Sequence, residues 1–185
     1  MSLTPEALRA GLTMPLEQFL DSAAETVQKW RRRDGEIHPM CMAVTDEGAG
    51  LIPIPPEAMQ ANRKATAHIL SGILSALGAR RCFLAFDAWS VTRKAELGAE
   101  PDLSVPPSEC DDRVDSLVII AMERGRSITR TMRVRGEGEA ATFEPFGPDA
   151  DSASDKASFA SPWTGLLDLE ITCTPTEAEA GPTVH

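Results

Sequence analysis

Apolar positions recur three to four residues apart along the segment 15–33, at Leu16, Phe19, Leu20, Ala23, Val27 and Trp30. That period is one face of a helix. Thr13 is placed to cap it and Pro15 suits its first turn. Glu17 near its start and Lys29 with Arg31 to Arg33 at its end suit the helix dipole. Trp30 extends the stripe and closes the core. The period then changes to two. In "MCMAVT", Met40, Met42 and Val44 point one way and Cys41, Ala43 and Thr45 the other, which predicts a strand. "LIPIPP" carries prolines at alternate positions, and proline lacks a ladder donor. This segment is therefore expected at a sheet edge or just outside the sheet. A second helix is predicted from Pro56 to about Leu77. Asn62, Ala65, Ile69, Leu70, Ile73, Leu74 and Leu77 lie on its apolar side, Lys64, His68, Ser71 and Ser75 lie opposite, and Gly78 stops it.

Strand patterns dominate afterwards. "RRCFLAFDAWSV" has one apolar face (Cys82, Leu84, Phe86, Ala88) and one on which Asp87 interrupts Phe83, Ala85 and Trp89. "LVIIAM", 117–122, is apolar at every position. It is expected to be a central strand covered on both faces, or one lying against a partner subunit. The tight "ERGR" turn joins it to "GRSITRTMRVRG" as an antiparallel hairpin, and "EAATFEPF" can add another strand. "PDADSASDKASFASP" reads as a mobile loop. "WTGLLDLEITC" is a last element whose alternation slightly favours strand. The order helix, two strands, helix, then three or four strands predicts an α+β fold, with a mainly antiparallel sheet of about five to six strands and two helices on one face. Residues 13–173 form the single domain, 1–12 a flexible lead-in and 174–185 a disordered tail. No internal repeat is evident.

Composition narrows the function classes. The chain has 185 residues, net charge −10, 5% aromatic residues and no tyrosine, so one Leu-, Ile-, Val-, Met- and Ala-rich core is expected. An acidic surface repels phosphate backbones, which makes nucleic acid an unfavoured partner, and the same charge disfavours an anionic membrane. No run reaches bilayer length and the start does not read as a signal peptide. Cys41, Cys82, Cys110 and Cys173 are widely spaced, which reads as free thiols in a reducing cytoplasm. No zinc-type ligand pair is present, and no cofactor is expected.

The candidate chemistry sits in "PPSECDDRVDS", 106–116. Glu109, Asp111, Asp112 and Asp115 could supply hard oxygen ligands for a divalent ion, although the EF-hand pattern is missing. Ser108 can cap a turn there, and a capped, solvated turn accounts for the segment without chemistry. Cys110 among carboxylates is a poor nucleophile, because negative neighbours disfavour the thiolate. Asp87, inside an apolar strand, needs a partner if its face is covered, and the arginines of 126–135 are the natural candidates. Trp89 beside it could line a pocket or an interface. The span 124–135 carries five arginines, Arg124, Arg126, Arg130, Arg133 and Arg135, and no acid. It could meet an anionic ligand, with Arg130 and Arg133 as binding residues on opposite strand faces. It lacks the interleaved aromatics of a single-strand binder, and pairing with the acidic 96–115 segment is the favoured reading. No phosphate-cradling, dinucleotide-binding, zinc-protease or nucleophile-elbow motif is present.

These features favour a small non-enzymatic cytoplasmic binding or assembly protein, working as a homo-oligomer. The alternative is a small metal-assisted hydrolase using Asp87 with Glu109, Asp111, Asp112 or Asp115.

Overall fold

The computed structural model describes residues 10–90, 109–151, 163 and 166–168. The lead-in before residue 10, the tail 174–185, Ser108 and most of the "WTGLLDLEITC" segment lie outside them. Helix α1 spans Leu16–Asp34, strand β1 Met40–Val44 and β2 Ala49–Pro53. Helices α2 (Pro56–Ala61) and α3 (Arg63–Ala76) follow, then β3 (Arg81–Ser90), β4 (Val114–Glu123), β5 (Arg126–Arg135), β6 (Thr142–Pro145) and the two-residue β7 (Ala150–Asp151). Six strands pair antiparallel in the order β2-β1-β3-β4-β5-β6, and β7 adds beside β5. The α+β class and the mainly antiparallel sheet are those the periodicity predicts. β2, which ends at Pro53 within "LIPIPP", is an edge strand, as proline's missing donor requires. β4 and β5 join through a two-residue turn in which Gly125 takes φ 76°, a conformation open to glycine and strained for other residues.

The helices do not share one face of the sheet. Strands β1, β3 and β4 are apolar at both parities, so both faces need cover. Met42, Val44, Phe83, Ala85, Leu117, Ile119 and Ala121 pack against Leu16, Leu20, Val27 and the rest of the α1 stripe. Cys41, Ala43, Cys82, Leu84, Ile120 and Met122 pack against Ala67, Leu70 and Leu74 of α3, together with Trp163 and Leu166. One helix lies on each face, and the result is a three-layer α–β–α arrangement. β4 is therefore covered on both faces within a single chain, and its apolarity does not call for a partner subunit.

Local chemistry shifts three predicted boundaries. α1 begins at Leu16, and Pro15 stands at its N-cap without any side-chain bond. Thr13 does not cap it; its hydroxyl donates back to the Ala10 carbonyl at 3.3 Å. Second, the predicted helix 56–77 is two helices. Asn62 leaves helical geometry (φ −152°, ψ 84°), and its side-chain oxygen accepts from Ala65 N–H at 3.0 Å, so one residue ends α2 and caps α3. α3 closes as the sequence predicts: Gly78 N–H donates to Ser75 O and Ala79 N–H to Leu74 O, the paired bonds of a glycine-terminated helix. Third, the start of the predicted loop 148–162 carries β7, with Ala150 opposite Thr129.

Candidate functional site

The end of the sheet nearest the last turn of α1 collects most of the residues that drew attention in the sequence. β3 projects Asp87 and Trp89 onto the α1 face, and β4 places Asp115 directly opposite Trp89. Asp87 is held from three sides. Its Oδ2 accepts from Ile37 N–H at 3.0 Å, its own N–H donates to Ile37 O at 3.5 Å, and Arg31 Nε lies 2.9 Å from Oδ2. The partner of Asp87 is thus Arg31, in the last turn of α1, and not an arginine of the hairpin. Gly35, at φ 84°, makes this possible. It ends the helix with its N–H on Arg31 O and turns the chain so that Ile37 meets Asp87.

The pair is only partly satisfied. Asp87 Oδ1 and Arg31 Nε and Nη1 are buried without a hydrogen-bond partner, so Arg31 attracts Asp87 as a charge rather than through an aligned bond. Burial pushes the Asp87 carboxyl above the usual carboxylate range, against the Ile37 N–H and the Arg31 charge, which pull it down. Desolvation is the largest effect here. Trp89 is 52% exposed, with the Arg113 guanidinium 5.2 Å from its ring centroid, a cation–π contact at the rim.

The carboxylates of the acidic segment face solvent. Glu109, Asp111, Asp112 and Asp115 are all exposed, and Arg113 N–H closes a turn on Cys110 O at 3.3 Å. Among the described residues, no three His, Cys, Asp or Glu side chains converge on one point. Cys110 is buried, as are the free thiols Cys41 and Cys82. Its hydrogen bond with Cys41 and its burial both raise the Cys82 thiol, which keeps it protonated.

The hairpin arginines face acids that sequence spacing does not bring together. Arg126 bonds Glu17 of α1 and Asp151 of β7. One helical turn along, Arg130 bonds Asp21 at 2.8 Å and Asp149 at 2.6 Å. Glu17 and Asp21 are four apart on α1, as Arg126 and Arg130 are on β5, so the two networks stand side by side and lash the helix and β7 to the sheet. Arg135 pairs with Glu144 at 2.9 Å. Arg133 shares the face of Arg135, opposite Arg126 and Arg130; it stacks over Phe146 at 5.2 Å, and its buried Nε has no hydrogen-bond partner. Arg81, read only as the start of a strand, pairs across the sheet with Glu123 and donates to Gly11 O at 3.0 Å.

A second surface was not singled out by its chemistry. α3 buries Ala67, Leu70, Ser71 and Leu74, and leaves Ile69 63%, Ile73 40% and Leu77 49% exposed. The predicted apolar side of this helix is thus divided. Leu70 and Leu74 enter the core, while the isoleucines and Leu77 form an outward ridge. Ser71, placed opposite the apolar side by its spacing, is buried, and its hydroxyl donates to Leu166 O.

No known protein family, characterised protein or solved structure matches this chain. No helix among the described residues is long and apolar enough to cross a membrane.

Proposed function

We propose that this chain is a non-enzymatic binding and assembly protein that self-associates, in a reducing compartment such as the cytoplasm. The observation that carries this reading is the ridge Ile69–Ile73–Leu77, exposed on a helix whose other side is well packed. Three large aliphatic side chains in one row are a docking surface rather than scattered exposure. Full burial of such a side chain is worth about 1.5–3 kcal/mol, and roughly half of that remains to be gained here. Six such side chains across a pair of copies would contribute on the order of 6 kcal/mol. That approaches the roughly 8 kcal/mol of a micromolar complex, before the cost of lost freedom. The reading is therefore of a weak, concentration-dependent association.

The strongest charges support the same reading. Arg126, Arg130 and Arg135 have acidic partners within the chain, which lowers their capacity to recruit an anionic ligand or nucleic acid. Trp89 and Arg113 offer a smaller contact at the sheet end. Light scattering tests the proposal. The particle mass should rise above the 19.9 kDa of one chain as concentration increases. A mass that stays at one chain throughout would remove self-association.

A further inference from the structure

β2 ends the sheet on one side, and among the described residues no strand pairs with its outer side. Two backbone bonds fix which of its groups face that way. At one end of the β1–β2 hairpin Thr45 N–H donates to Gly48 O at 2.8 Å, and at the other Ile54 N–H donates to Pro39 O at 2.8 Å. Bonded and non-bonded residue pairs alternate along an antiparallel ladder. In the register that sets Ala43 opposite Gly50 and Cys41 opposite Ile52, both bonds give the same phase. Gly50, Ile52 and Ile54 turn their backbone groups toward β1, and Ala49, Leu51 and Pro53 turn theirs outward. Pro53 thus stands where its missing N–H costs the sheet nothing. The outer side offers five backbone groups: the N–H and C=O of Ala49, those of Leu51, and the C=O of Pro53. Such a row is filled by an extended strand. The side chains leave room for one. No charged residue occurs over 48–56, so the edge lacks the lysine that commonly blunts such strands. Leu51 is 53% exposed and lies opposite Met42, on the α1 face. On the other face Gly50 has open space where a side chain would stand.

We propose that the outer edge of β2 binds an extended peptide of a different protein as an added strand, apolar where it passes Leu51 and basic at its flanks. A second copy of the chain fits the row less well. Two β2 strands paired antiparallel about Leu51 would set Ala49 against Pro53, whose missing N–H removes one bond from each of those pairs. Four bonds would then serve two edges, whereas a foreign strand fills all five groups of one edge. Basic flanks follow from the net charge of −10, which attracts cationic peptides. The contact uses no residue of the α3 ridge and does not depend on self-association.

A displayed library of random decapeptides, selected on the full chain, supplies the probe, and the strongest binder is synthesised and titrated into isotope-labelled protein. Amide hydrogen exchange read by NMR carries the signature. In the free chain the Ala49 and Leu51 N–H groups should exchange at least about tenfold faster than those of Gly50 and Ile52, which are bonded to β1. Bound peptide should slow Ala49 and Leu51 at least about tenfold and leave Gly50 and Ile52 little changed. N-methylation of the peptide amides that face β2 should abolish binding without altering the protein. Leu51→Lys replaces an exposed side chain, so the fold is retained and is checked by thermal melting. It should weaken binding at least about tenfold, because a charge then blunts the edge, and should leave self-association as in wild type. The proposal is overturned if the selection yields no binder, if the binder protects amides elsewhere, or if N-methylation leaves its affinity unchanged. Loss of self-association in L51K would assign the edge to a second copy and overturn it as well.

Discussion

Replacing Asp87 by alanine and by asparagine separates the two jobs the carboxylate does at the junction of α1 and β3. Alanine removes the acceptor for Ile37 N–H and the charge facing Arg31. An unpaired buried N–H costs about 1–3 kcal/mol. Removing one member of a fully buried ion pair costs about 3–5 kcal/mol. Here the side chains are 12% (Arg31) and 29% (Asp87) exposed, so water screens part of that charge. A total near 3 kcal/mol is expected for D87A, or a melting temperature about 6–12 °C lower for a chain of this length. Asparagine keeps an oxygen for Ile37 and loses only the charge. Burial already makes the ionised form of Asp87 unfavourable, so D87N should stay within about 1 kcal/mol of wild type at pH 7. The pH dependence carries the sign. A raised folded-state pKa means that the native chain binds this proton more tightly than the unfolded chain. Stability due to Asp87 is then full below its ordinary value and declines as pH rises through the folded value. Wild type should lose ground to D87N over that interval. Glu17, whose carboxyl the Arg126 hydrogen bond holds below its usual range, has the opposite slope in both proteins and cancels in the difference. Urea unfolding at a series of pH values measures this. If D87N falls as far as D87A, or wild type gains on D87N as pH rises, then the Arg31 charge dominates and the desolvation argument is wrong.

Asn62→Ala removes the cap shared by α2 and α3 and should cost about 1 kcal/mol, read as a lower urea midpoint with an unchanged slope. Arg130→Ala breaks the bonds to both Asp21 and Asp149. It should destabilise by about 1–2 kcal/mol in low salt and by less at high ionic strength, measured by thermal melting in both. With Arg126, Arg130 and Arg135 paired inside the chain, labelled RNA and DNA should show no mobility shift even at low salt; retention on either would reopen the arginine strand as a binding surface. Melting should also be unchanged by added Mg2+, Mn2+ or Zn2+, and a metal-dependent rise abolished by D111N would restore the acidic segment as an ion site.

The sheet was legible because its strands read as short alternating or wholly apolar runs bounded by turn residues. β1, β3, β4 and the β4–β5 hairpin lie where alternation and the Arg124–Gly125 turn put them. The edge position of β2 followed from prolines alone. The side of the sheet each helix takes was not legible, because both parities of β3 and β4 are apolar and pattern alone does not say which cover goes where. On α3 the apolar arc is wide. Counting large residues centres it on Ile69 and Ile73, whereas the sheet takes the narrower Ala67–Leu70–Ser71–Leu74 side, with Ser71 satisfied by Leu166 O. That carbonyl is 95 residues away and leaves no local trace. The same limit hid the partner of Asp87. Arg31 reads as a residue completing a helix dipole, and only Gly35 and the path to Ile37 bring it beside β3. The arginine-rich strand was expected to pair with the acids of 96–115, within the molecule or across a dimer. Its acids proved to be Glu17 and Asp21 on α1 and Asp149 and Asp151 around β7, among the described residues, rather than those of the 109–115 segment.

The outward ridge of α3 is the proposed contact between copies of the chain. Sedimentation equilibrium of wild type and I73E, from low micromolar to near-millimolar chain, tests it most directly. Wild type should approach twice the 19.9 kDa chain mass with rising concentration, while I73E remains at one chain mass with an unchanged melting temperature. Identical mass curves for the two proteins would contradict the account, whether both dimerise or neither does.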